Sequence, residues 1–343
     1  MSTTGPEANA DARDDAQALQ AAVLAMLPER HPNPDLQRFY QLLRDYPARG
    51  GKRLRGRFVL ASCAAHGGDP ARALAPAAAL ELFQNWVLVH DDIEDDSEVR
   101  RGLPALHRAV GVPVALNVGD AMHVYMWQAL LALRGDAGFD ADAIRDEFVR
   151  VIHRTAEGQH LDLTWVAEGR FAIGEADYLQ MVTLKTSWYT VIGPLRIGAF
   201  TAAHAPHPAY ETAGARLGAA FQIRDDVLNL DPAAATGKEF AGDLYEGKRT
   251  LVLAHLFAHA TRDEAAEAEA RLAKPRPAKT ADDAGWLLSL IDRHGSLAYA
   301  QGIAEREANA ALADLRDAFA GLPGRGAADA LLDAFADLVR RRH

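Results

Sequence analysis

The chain has 343 residues, of which 49% are hydrophobic and 24% charged, and its formal net charge is −10. This composition is typical of a globular protein with a sizeable core, and the acidic balance argues against nucleic acid as a general partner. The single cysteine, Cys63, excludes an intramolecular disulfide and a zinc site built from several cysteines. The polar N-terminus lacks the apolar segment of a secretory signal, and no stretch approaches the roughly 18 apolar residues of a membrane span. We therefore expect a cytoplasmic protein without a membrane span.

Helical periodicity begins at Arg13, after twelve small and polar residues that are predicted to be a disordered tail. Strand signals are nearly absent along the rest of the chain. The pattern predicts an all-α protein, a single-domain helical bundle over residues 13–343 with polar groups projecting into its core. The segment from Leu106 to Gly119 is predicted to be loop-like. The main predicted helices, besides two between Arg13 and Tyr46, cover Leu80–Gly102, Asp140–Trp165, Glu175–Phe200 and Gly214–Leu230.

An apolar run that starts at Leu80 leads directly into six acidic residues between Asp91 and Glu98. No Gly or Pro interrupts the segment before Gly102, so it predicts one long buried helix. Asp91 and Asp95 are four residues apart, which places both carboxylates on one helix face. Such charges repel unless a cation lies between them, and Mg²⁺ binds one or two carboxylates together with water and phosphate oxygens. An acid-rich surface turn is the alternative for this segment taken alone.

A second acidic pair, Asp225 and Asp226, stands near the end of the helix predicted between Gly214 and Leu230. Asn229 follows Asp225 by four residues and repeats the spacing of the first pair. Facing helices can bring two such clusters together, and several Mg²⁺ ions between them would suit a diphosphate. The metal ions and nearby cations would neutralise the negative charge that grows on a diphosphate as it leaves.

Basic residues are concentrated in a few segments. Lys52 and Arg55 lie three apart in GGKRLR and are expected to project from one helix face. Ahead of an apolar run, they indicate an anion site at a helix start or, alternatively, a solvated basic loop. The spacing excludes a P-loop. Lys185 stands in an apolar segment, where a lone lysine is more typical of a surface position. A di-iron bundle would need two Glu-x-x-His pairs, and only Glu157 with His160 supplies one.

Six segments stand together in one order: GGKRLR, HDDIEDDSEVRRG, GQHLDL, LKTS, FQIRDDVLN and GKEFAGDLYEGKRTL. In these segments the chain resembles the trans-type isoprenyl diphosphate synthases, or polyprenyl synthetases, from about Gly50 to Thr250. The resemblance implies an isoprenoid synthase fold, a homodimer, and Mg²⁺-dependent condensation of isopentenyl diphosphate with allylic diphosphates of C5 to C15. In that reaction the allylic diphosphate ionises, the homoallylic double bond attacks the cation, and a proton is lost to the departing diphosphate.

The resemblance also implies roles for individual residues. The implied catalytic residues are Asp91, Asp92, Asp95, Lys185, Thr186, Gln222, Asp225 and Asp226. Among them the ligands of two or three Mg²⁺ ions are Asp91, Asp95 and Asp225, while Thr186 and Gln222 face the allylic cation. The residues that hold the allylic diphosphate are Arg100, Lys185, Lys238 and Lys248. The residues around isopentenyl diphosphate are Lys52, Arg55, Arg101 and Gln84.

Two positions depart from the family pattern. Asn229 stands where many members have aspartate, and it is expected to be a neutral oxygen ligand or a supporting group. Gln84 stands where many members have histidine, seven residues before Asp91. Glutamine can still donate a hydrogen bond, so binding is expected to persist while its pH dependence changes.

Product length is predicted from the first acidic helix. Trp86 precedes Asp91 by five residues, about 7.5 Å along a helix axis, and Phe83 lies about one turn deeper. At about 100° per residue Val87 is closer to the Asp91 face, so an ordinary core position for Trp86 is the alternative. An aromatic residue at this position, without an insertion in the motif, resembles members that stop at C20. We expect geranylgeranyl diphosphate as the product and farnesyl diphosphate as the second choice.

Two other functions are considered. A class I terpene cyclase shares the metal chemistry but would not need the GGKRLR pocket for a second diphosphate. A non-catalytic regulatory subunit of a synthase would be expected to have lost acids or cations, and this chain retains both sets. Product analysis with and without isopentenyl diphosphate separates these possibilities.

Overall fold

The computed structural model describes residues 6–232 and 240–340, with side chains from residue 14 onward. Over these residues it is helical apart from one short hairpin, so the all-α prediction is confirmed. The first half contains α1 (Pro6–Ala25), α2 (Pro34–Ala48), α3 (Leu54–Ala65), α4 (Pro70–Glu94), β1 (Val99–Arg100), β2 (Leu103–Pro104), α5 (Leu106–Val110), α6 (Val112–Ala132) and α7 (Ala141–Ala167). The second half contains α8 (Glu175–Val182), a π-helix (Thr183–Ile192), α9 (Gly193–Thr201), α10 (Ala209–Asn229), α11 (Gly242–Glu246), α12 (Leu251–His259), α13 (Arg262–Leu272), a 3₁₀ turn (Arg276–Ala278), α14 (Ala281–Arg293), α15 (Ser296–Phe319) and α16 (Arg325–Arg340).

The chain folds into two compact units. The first unit comprises residues up to 150, 189–207 and 319–331, and the second comprises residues 151–188, 208–318 and 332 onward. Helix α1 begins at Pro6, so residues 6–12 of the predicted tail are helical, while residues 1–5 lie outside the described chain. Among the described residues, no helix has the length and apolar content needed to cross a membrane.

Helix α4 is the centre of the first unit, where it packs against α1, α3 and α6. The Asp69 side chain accepts a hydrogen bond from the backbone N–H of Ala71, and Pro70 occupies the first turn, where its missing N–H costs little. The helix then carries a long buried run that includes Leu80, Leu82 and Phe83. The first acidic pair therefore lies near the end of a rigid, largely buried helix.

The prediction of one helix from Leu80 to Gly102 is wrong at its end, because α4 stops at Glu94. Residues Arg100 and Leu103 pair across an antiparallel hairpin, and the two residues between them, Arg101 and Gly102, have φ of 56° and 74°. Positive φ at both central residues is the geometry of a type I′ turn, which suits a tight hairpin. The arginines that follow the acidic pair therefore lie on a hairpin and not on a helix.

The prediction of a loop from Leu106 to Gly119 is also wrong, because α5 and α6 occupy this segment. Pro113 stands in the first turn of α6, where proline is compatible with a helix. The prediction of a single helix from Glu175 to Phe200 needs a smaller correction. The π-helix interrupts that segment, and it contains the LKTS motif.

The second unit has its own core, built around α8, α10, α12 and α14. Tyr178, Ile223, Leu256 and Leu290 are among its fully buried residues. This core holds α10, which carries the second acidic pair, beside α8.

Candidate active site

The first acidic pair has one buried and one partly exposed carboxylate. Asp92 is 0% exposed, and both its oxygens accept hydrogen bonds from Arg100 Nε, at 3.0 and 3.1 Å. Asp91 is partly exposed, and its Oδ2 lies 3.9 Å from Arg100 Nη2. The predicted pairing of Arg100 with the acidic motif is therefore present, but its main partner is the inner aspartate.

Tyr46 of α2 links this pair to the arginine hairpin, a role that no local sequence pattern predicts. Its hydroxyl donates to Asp92 Oδ2 at 2.6 Å and accepts a hydrogen bond from the backbone N–H of Leu106 at 2.9 Å. Its backbone carbonyl accepts a hydrogen bond from Arg101 Nη1 at 2.8 Å. The end of α2 therefore positions the acidic motif and the hairpin together.

The GGKRLR segment lies partly outside the helix that it was predicted to start. Helix α3 begins at Leu54, so Lys52 precedes it and is exposed, while Arg55 is inside the helix and buried. Arg55 donates to Thr190 Oγ1 at 2.9 Å, and its guanidinium stands over the ring of Tyr189. The prediction that Lys52 and Arg55 share one helix face is therefore wrong.

The same segment lies against the hairpin. A Cβ atom at Gly51, where φ is +128°, would lie 3.3 Å from the guanidinium of Arg101. Glycine allows this close approach and this backbone conformation, so Arg101 lies beside the loop that carries Lys52. Two of the three cations assigned to isopentenyl diphosphate are thus brought together.

Several arginine donors in this region have no acceptor within the described chain. The Nε atoms of Arg53, Arg55 and Arg57 are buried and make no hydrogen bond to any described residue. Burial, together with the charges of Arg53 and Arg100, lowers the pKa of Arg101 to about 10. A bound anion would stabilise the charged form of Arg101, so this cluster of arginines fits an anionic ligand.

The residues assigned to product length lie on α4 beneath the acidic pair. The Trp86 ring stacks on His123 of α6, with ring centroids 4.2 Å apart. Trp127 Nε1 donates to His123 Nε2 at 2.8 Å, which holds the imidazole in place. Phe83 is buried with its centroid 5.4 Å from Trp86, whereas Val87 is half-buried. Trp86 is therefore fixed by an aromatic partner on a neighbouring helix.

In the second unit, the inner aspartate is again the buried one. Asp226 Oδ2 accepts a hydrogen bond from the Tyr178 hydroxyl at 2.7 Å, and Oδ1 accepts one from Gln222 Nε2 at 2.8 Å. Gln222 Oε1 in turn accepts a hydrogen bond from Thr186 Oγ1 at 3.0 Å. Burial and the neighbouring Asp243 raise the pKa of Asp226 to about 7. Three predicted catalytic residues thus form one hydrogen-bonded chain that ends at an unpredicted tyrosine.

Lys185 pairs with an acid from the GQHLDL motif: its Nζ lies 2.5 Å from Asp162 Oδ2. Two glycines let the neighbouring helices approach this segment. A Cβ at Gly158 of α7 would lie 2.2 Å from the Lys185 backbone N, and a Cβ at Gly218 of α10 would lie 2.2 Å from Ser187 Oγ. The π-helix that carries Lys185 is therefore held between two close helix contacts, and π-helical turns are frequent at functional sites.

Asn229 has a structural partner. Its Oδ1 accepts a hydrogen bond from the backbone N–H of Asp243 at 3.0 Å, and its carbonyl accepts one from Ala241 at 2.8 Å. Of the two expectations for this residue, the supporting role agrees with these contacts, because the side chain holds the start of α11. Lys248 lies 2.9 Å from Glu246, and the predicted Lys238 lies outside the described residues.

The acidic helices offer hard oxygen donors that fit a divalent cation. The backbone N–H of Asp95 bonds to the carbonyl of Asp91 at 2.8 Å, so the turn between the two residues is helical and their carboxylates share a face. In the part of the chain that is described, no three His, Cys, Asp or Glu side chains form a complete metal-holding group. The donors present match Mg²⁺, which uses one or two carboxylates and takes its other ligands from water and phosphate.

Residues 36–287 match the model of the family described as polyprenyl synthetase. This chain belongs to the polyprenyl synthetase family. The chain is 34% identical over 271 residues to the geranylgeranyl diphosphate synthase of Saccharolobus solfataricus, covering 78% of this chain and 80% of that one. It is 30% identical over 257 residues to the geranylfarnesyl diphosphate synthase of Natronomonas pharaonis, covering 70% and 73%.

Solved structures of the family have the same fold. The geranylgeranyl pyrophosphate synthase of Corynebacterium glutamicum, complexed with isoprenyl diphosphate and magnesium, matches with a TM-score of 0.85. It is 26% identical and the match covers 97% of this chain and 100% of that chain. The predictions of an isoprenyl diphosphate synthase fold and of an enzyme of this family are confirmed, and divalent metal use is supported.

Proposed function

We propose that this polyprenyl synthetase is a short-chain trans-prenyltransferase that condenses isopentenyl diphosphate head to tail with allylic diphosphates of C5 to C15. Geranylgeranyl diphosphate is the main product and farnesyl diphosphate the second choice. One observation carries the proposal. Asp91 and Asp225 are partly exposed, and each is followed by a buried aspartate whose hydrogen bond to a tyrosine fixes the helix that carries the pair.

The allylic diphosphate is bound by metal-ligating aspartates and by basic side chains. Asp91, Asp95 and Asp225 hold two or three Mg²⁺ ions, which when bound neutralise the charge of the diphosphate. Arg100, Lys185, Lys238 and Lys248 supply further positive charge along the same group. Because Arg100 is already oriented by Asp92, it loses little conformational freedom when it engages an anion.

Isopentenyl diphosphate is bound in the first unit by the GGKRLR segment and the hairpin. Lys52 is exposed, Arg101 is held by the Tyr46 carbonyl, and Arg55 adds a buried guanidinium. Gln84 is half-buried on α4 and can donate an amide hydrogen bond there. Charge-assisted hydrogen bonds from these cations supply the binding energy for a diphosphate.

The prenyl cation is stabilised without a nucleophile. Thr186 and Gln222 present neutral dipoles that are fixed by their mutual hydrogen bond, and neither side chain can form a stable covalent adduct with the cation in that arrangement. The proton lost after carbon–carbon bond formation passes to the departing diphosphate, which is the strongest base near it.

The length of the product is set by the aromatic residues on α4. Trp86, with Phe83 below it, forms the floor that stops the growing hydrocarbon tail. Val87 lines the path of the tail closer to Asp91. The stack of Trp86 on His123 gives this floor a rigid backing. Relatives that make C20 and C25 products support a short-chain product, and the bulky floor favours the shorter of the two.

We further propose a single catalytic domain over residues 13–343 and a homodimer of two copies. Support for the dimer comes from α6, where Val124 and Leu131 are each 63% exposed and Val112 and Leu116 also face outward. These four residues lie within about 120° of the helix circumference, on an exposed face that also carries Asp120 and that a second copy would cover. The cytoplasmic location stays a prediction.

The test is incubation of the purified chain with isopentenyl diphosphate, Mg²⁺ and each of the C5, C10 and C15 allylic diphosphates, followed by sizing of the dephosphorylated alcohols. We expect C20 alcohol, dependent on Mg²⁺ and on isopentenyl diphosphate. Asp91→Asn and Asp225→Asn should each lower kcat by about 100- to 1000-fold. Asp142→Asn is the matched control, because its carboxylate is 91% exposed on α7. Cyclic products without isopentenyl diphosphate would instead indicate a terpene cyclase.

A further inference from the structure

The two acidic pairs, in separate units, are built in the same way. In each pair the second aspartate is buried and accepts a hydrogen bond from a buried tyrosine on a different helix. Tyr46 of α2 bonds to Asp92 at 2.6 Å, and Tyr178 of α8 bonds to Asp226 at 2.7 Å. The arrangement therefore occurs twice, with partners that differ in sequence and in chain position.

Fixing the inner aspartate determines where the outer one lies. Successive residues on a helix are about 100° apart, so anchoring Asp92 to the core turns Asp91 away from it, and anchoring Asp226 does the same for Asp225. Asp91 and Asp225 are indeed less buried than the residues that follow them. Each tyrosine thus sets the rotation of one acidic helix through a residue that need not touch the substrate.

Both tyrosines act as donors. Burial, with a further effect of the adjacent aspartate, raises the pKa of each phenol above its ordinary value, so each hydroxyl stays protonated. A hydrogen bond to a charged acceptor is stronger than one between neutral groups. The contact at Asp92, which Arg100 keeps charged, is therefore among the stronger restraints on its helix, and the contact at Asp226 strengthens when that carboxylate ionises.

Each tyrosine also connects its aspartate to other parts of the site. The Tyr46 hydroxyl accepts from Leu106, at the end of the hairpin that carries Arg100 and Arg101. In the second unit, the Asp226 carboxylate that accepts from Tyr178 also accepts from Gln222, and Gln222 accepts from Thr186. Loss of either hydroxyl would loosen a network and not a single contact.

We propose that Tyr46 and Tyr178 are positioning residues that orient the outer aspartates Asp91 and Asp225 for Mg²⁺ and diphosphate by anchoring the inner aspartates Asp92 and Asp226. This proposal rests on the proposed function, since it assumes that the outer aspartates bind a metal–diphosphate complex. It assigns the tyrosines no contact with substrate.

The test uses the full-length variants Tyr46→Phe and Tyr178→Phe, which remove one hydroxyl and keep the ring and the backbone carbonyl. Inorganic pyrophosphate is titrated calorimetrically into each protein in excess Mg²⁺. We expect each variant to bind pyrophosphate about tenfold more weakly than the unmodified chain, or about 1.4 kcal/mol. In steady-state kinetics the KM for the allylic diphosphate should rise, while the KM for isopentenyl diphosphate stays unchanged, because the Tyr46 carbonyl still binds Arg101.

Tyr210→Phe is the matched control. Tyr210 is also fully buried on α10, but fifteen residues before Asp225, or about 22 Å along the helix axis. The Tyr210→Phe variant should bind pyrophosphate with an affinity within about twofold of the unmodified chain. Urea unfolding of all three variants measures separately how much free energy of unfolding each lost hydroxyl costs. The two tyrosines are tested independently. If one variant does not fold, the pyrophosphate affinity of the other variant still tests the positioning role.

Two results would contradict different conclusions. If both phenylalanine variants bind pyrophosphate as the control does and lose only stability, the tyrosines are merely structural and the positioning role is wrong. If the unmodified chain neither binds pyrophosphate with Mg²⁺ nor makes a prenyl diphosphate, the proposed function itself fails. The first outcome leaves the enzyme assignment intact, and the second does not.

Discussion

The two inner aspartates have different charge environments although their tyrosine contacts are alike. Asp92 is buried beside Arg100, which donates to both its oxygens, so its negative charge is compensated. Asp226 accepts hydrogen bonds from the neutral donors Tyr178 and Gln222, and burial raises its pKa to about 7. The ion pair of Asp92 with Arg100 therefore stabilises the folded protein without a ligand. The charged form of Asp226 is disfavoured until a cation binds nearby.

This difference predicts opposite effects of the same substitution in metal-free protein. Asp92→Asn should lower the free energy of unfolding by about 3 kcal/mol, because it removes the buried carboxylate that pairs with the partly buried Arg100. Asp226→Asn should raise that free energy at pH 8 by more than about 1 kcal/mol, because it removes a charge that is costly to bury. Urea unfolding in the presence of a chelator measures both values.

The pH dependence has a definite sign. The unfolded chain releases the Asp226 proton near pH 3.9, whereas the folded chain holds it to about pH 7. The contribution of protonated Asp226 to the free energy of unfolding is therefore fully present below pH 3.9, and it is lost as the pH rises toward and through 7. In Asp226→Asn this loss should be absent. An unchanged pH profile in that variant would show that Asp226 is ionised in the folded protein throughout the range.

At the scale of elements, the close approach of α7 to the π-helix depends on Gly158. A Cβ there would lie 2.2 Å from the Lys185 backbone N and 2.6 Å from its Cα, both in a rigid main chain. Backbone atoms cannot move aside as a flexible side chain can, so any larger residue must push the two helices apart. The position of Lys185 relative to Asp162 on α7 is set by this contact.

We predict that Gly158→Ala lowers the free energy of unfolding by about 2 kcal/mol, from overpacking, and also lowers kcat by displacing Lys185. Gly302→Ala is the control, because a Cβ at this position inside α15 meets no atom within 4 Å. The control should be up to about 1 kcal/mol more stable than the unmodified chain, since alanine favours a helix interior. A stable and fully active Gly158→Ala protein would contradict the close-contact argument.

The aromatic stack between α4 and α6 gives a prediction for product length. Trp86→Ala removes the ring that stands on His123, so the hydrocarbon tail should extend further and the main product should grow by one or more C5 units. Chromatography of the dephosphorylated alcohols measures this change. Trp286→Ala on α14 is the control, because that indole packs against the core of the second unit and should leave chain length unchanged. Unchanged chain lengths in Trp86→Ala would show that Trp86 is an ordinary core residue.

At the scale of the whole molecule, the apolar face of α6 predicts self-association. Val124→Glu combined with Leu131→Glu places two charges in a face where both side chains are 63% exposed, so the folded subunit should tolerate them while the dimer does not. Sedimentation velocity should show a dimer for the unmodified chain and a monomer for this variant. Val166→Glu, at an exposed position of α7, should remain dimeric. A monomeric unmodified chain would contradict the dimer.

The sequence by itself determined the all-α class, the two acidic pairs and the family, because these depend on local periodicity and on residues that are close together in the chain. Helix ends were predicted less well. The α4 helix stops at Glu94 because Asp96 adopts a φ of 54° and the Ser97 N–H bonds back to the Asp92 carbonyl, and this backbone conformation is not apparent from the residue type.

Only the tertiary structure decided which aspartate of each pair is buried and what holds it. The tyrosines that bind Asp92 and Asp226 are 46 and 48 residues away from them, so no local pattern relates them. The same is true of Asn229, whose side chain holds the backbone of Asp243 fourteen residues later. Contacts between distant residues depend on how helices pack, and helix packing is a property of the folded chain rather than of any short segment of it.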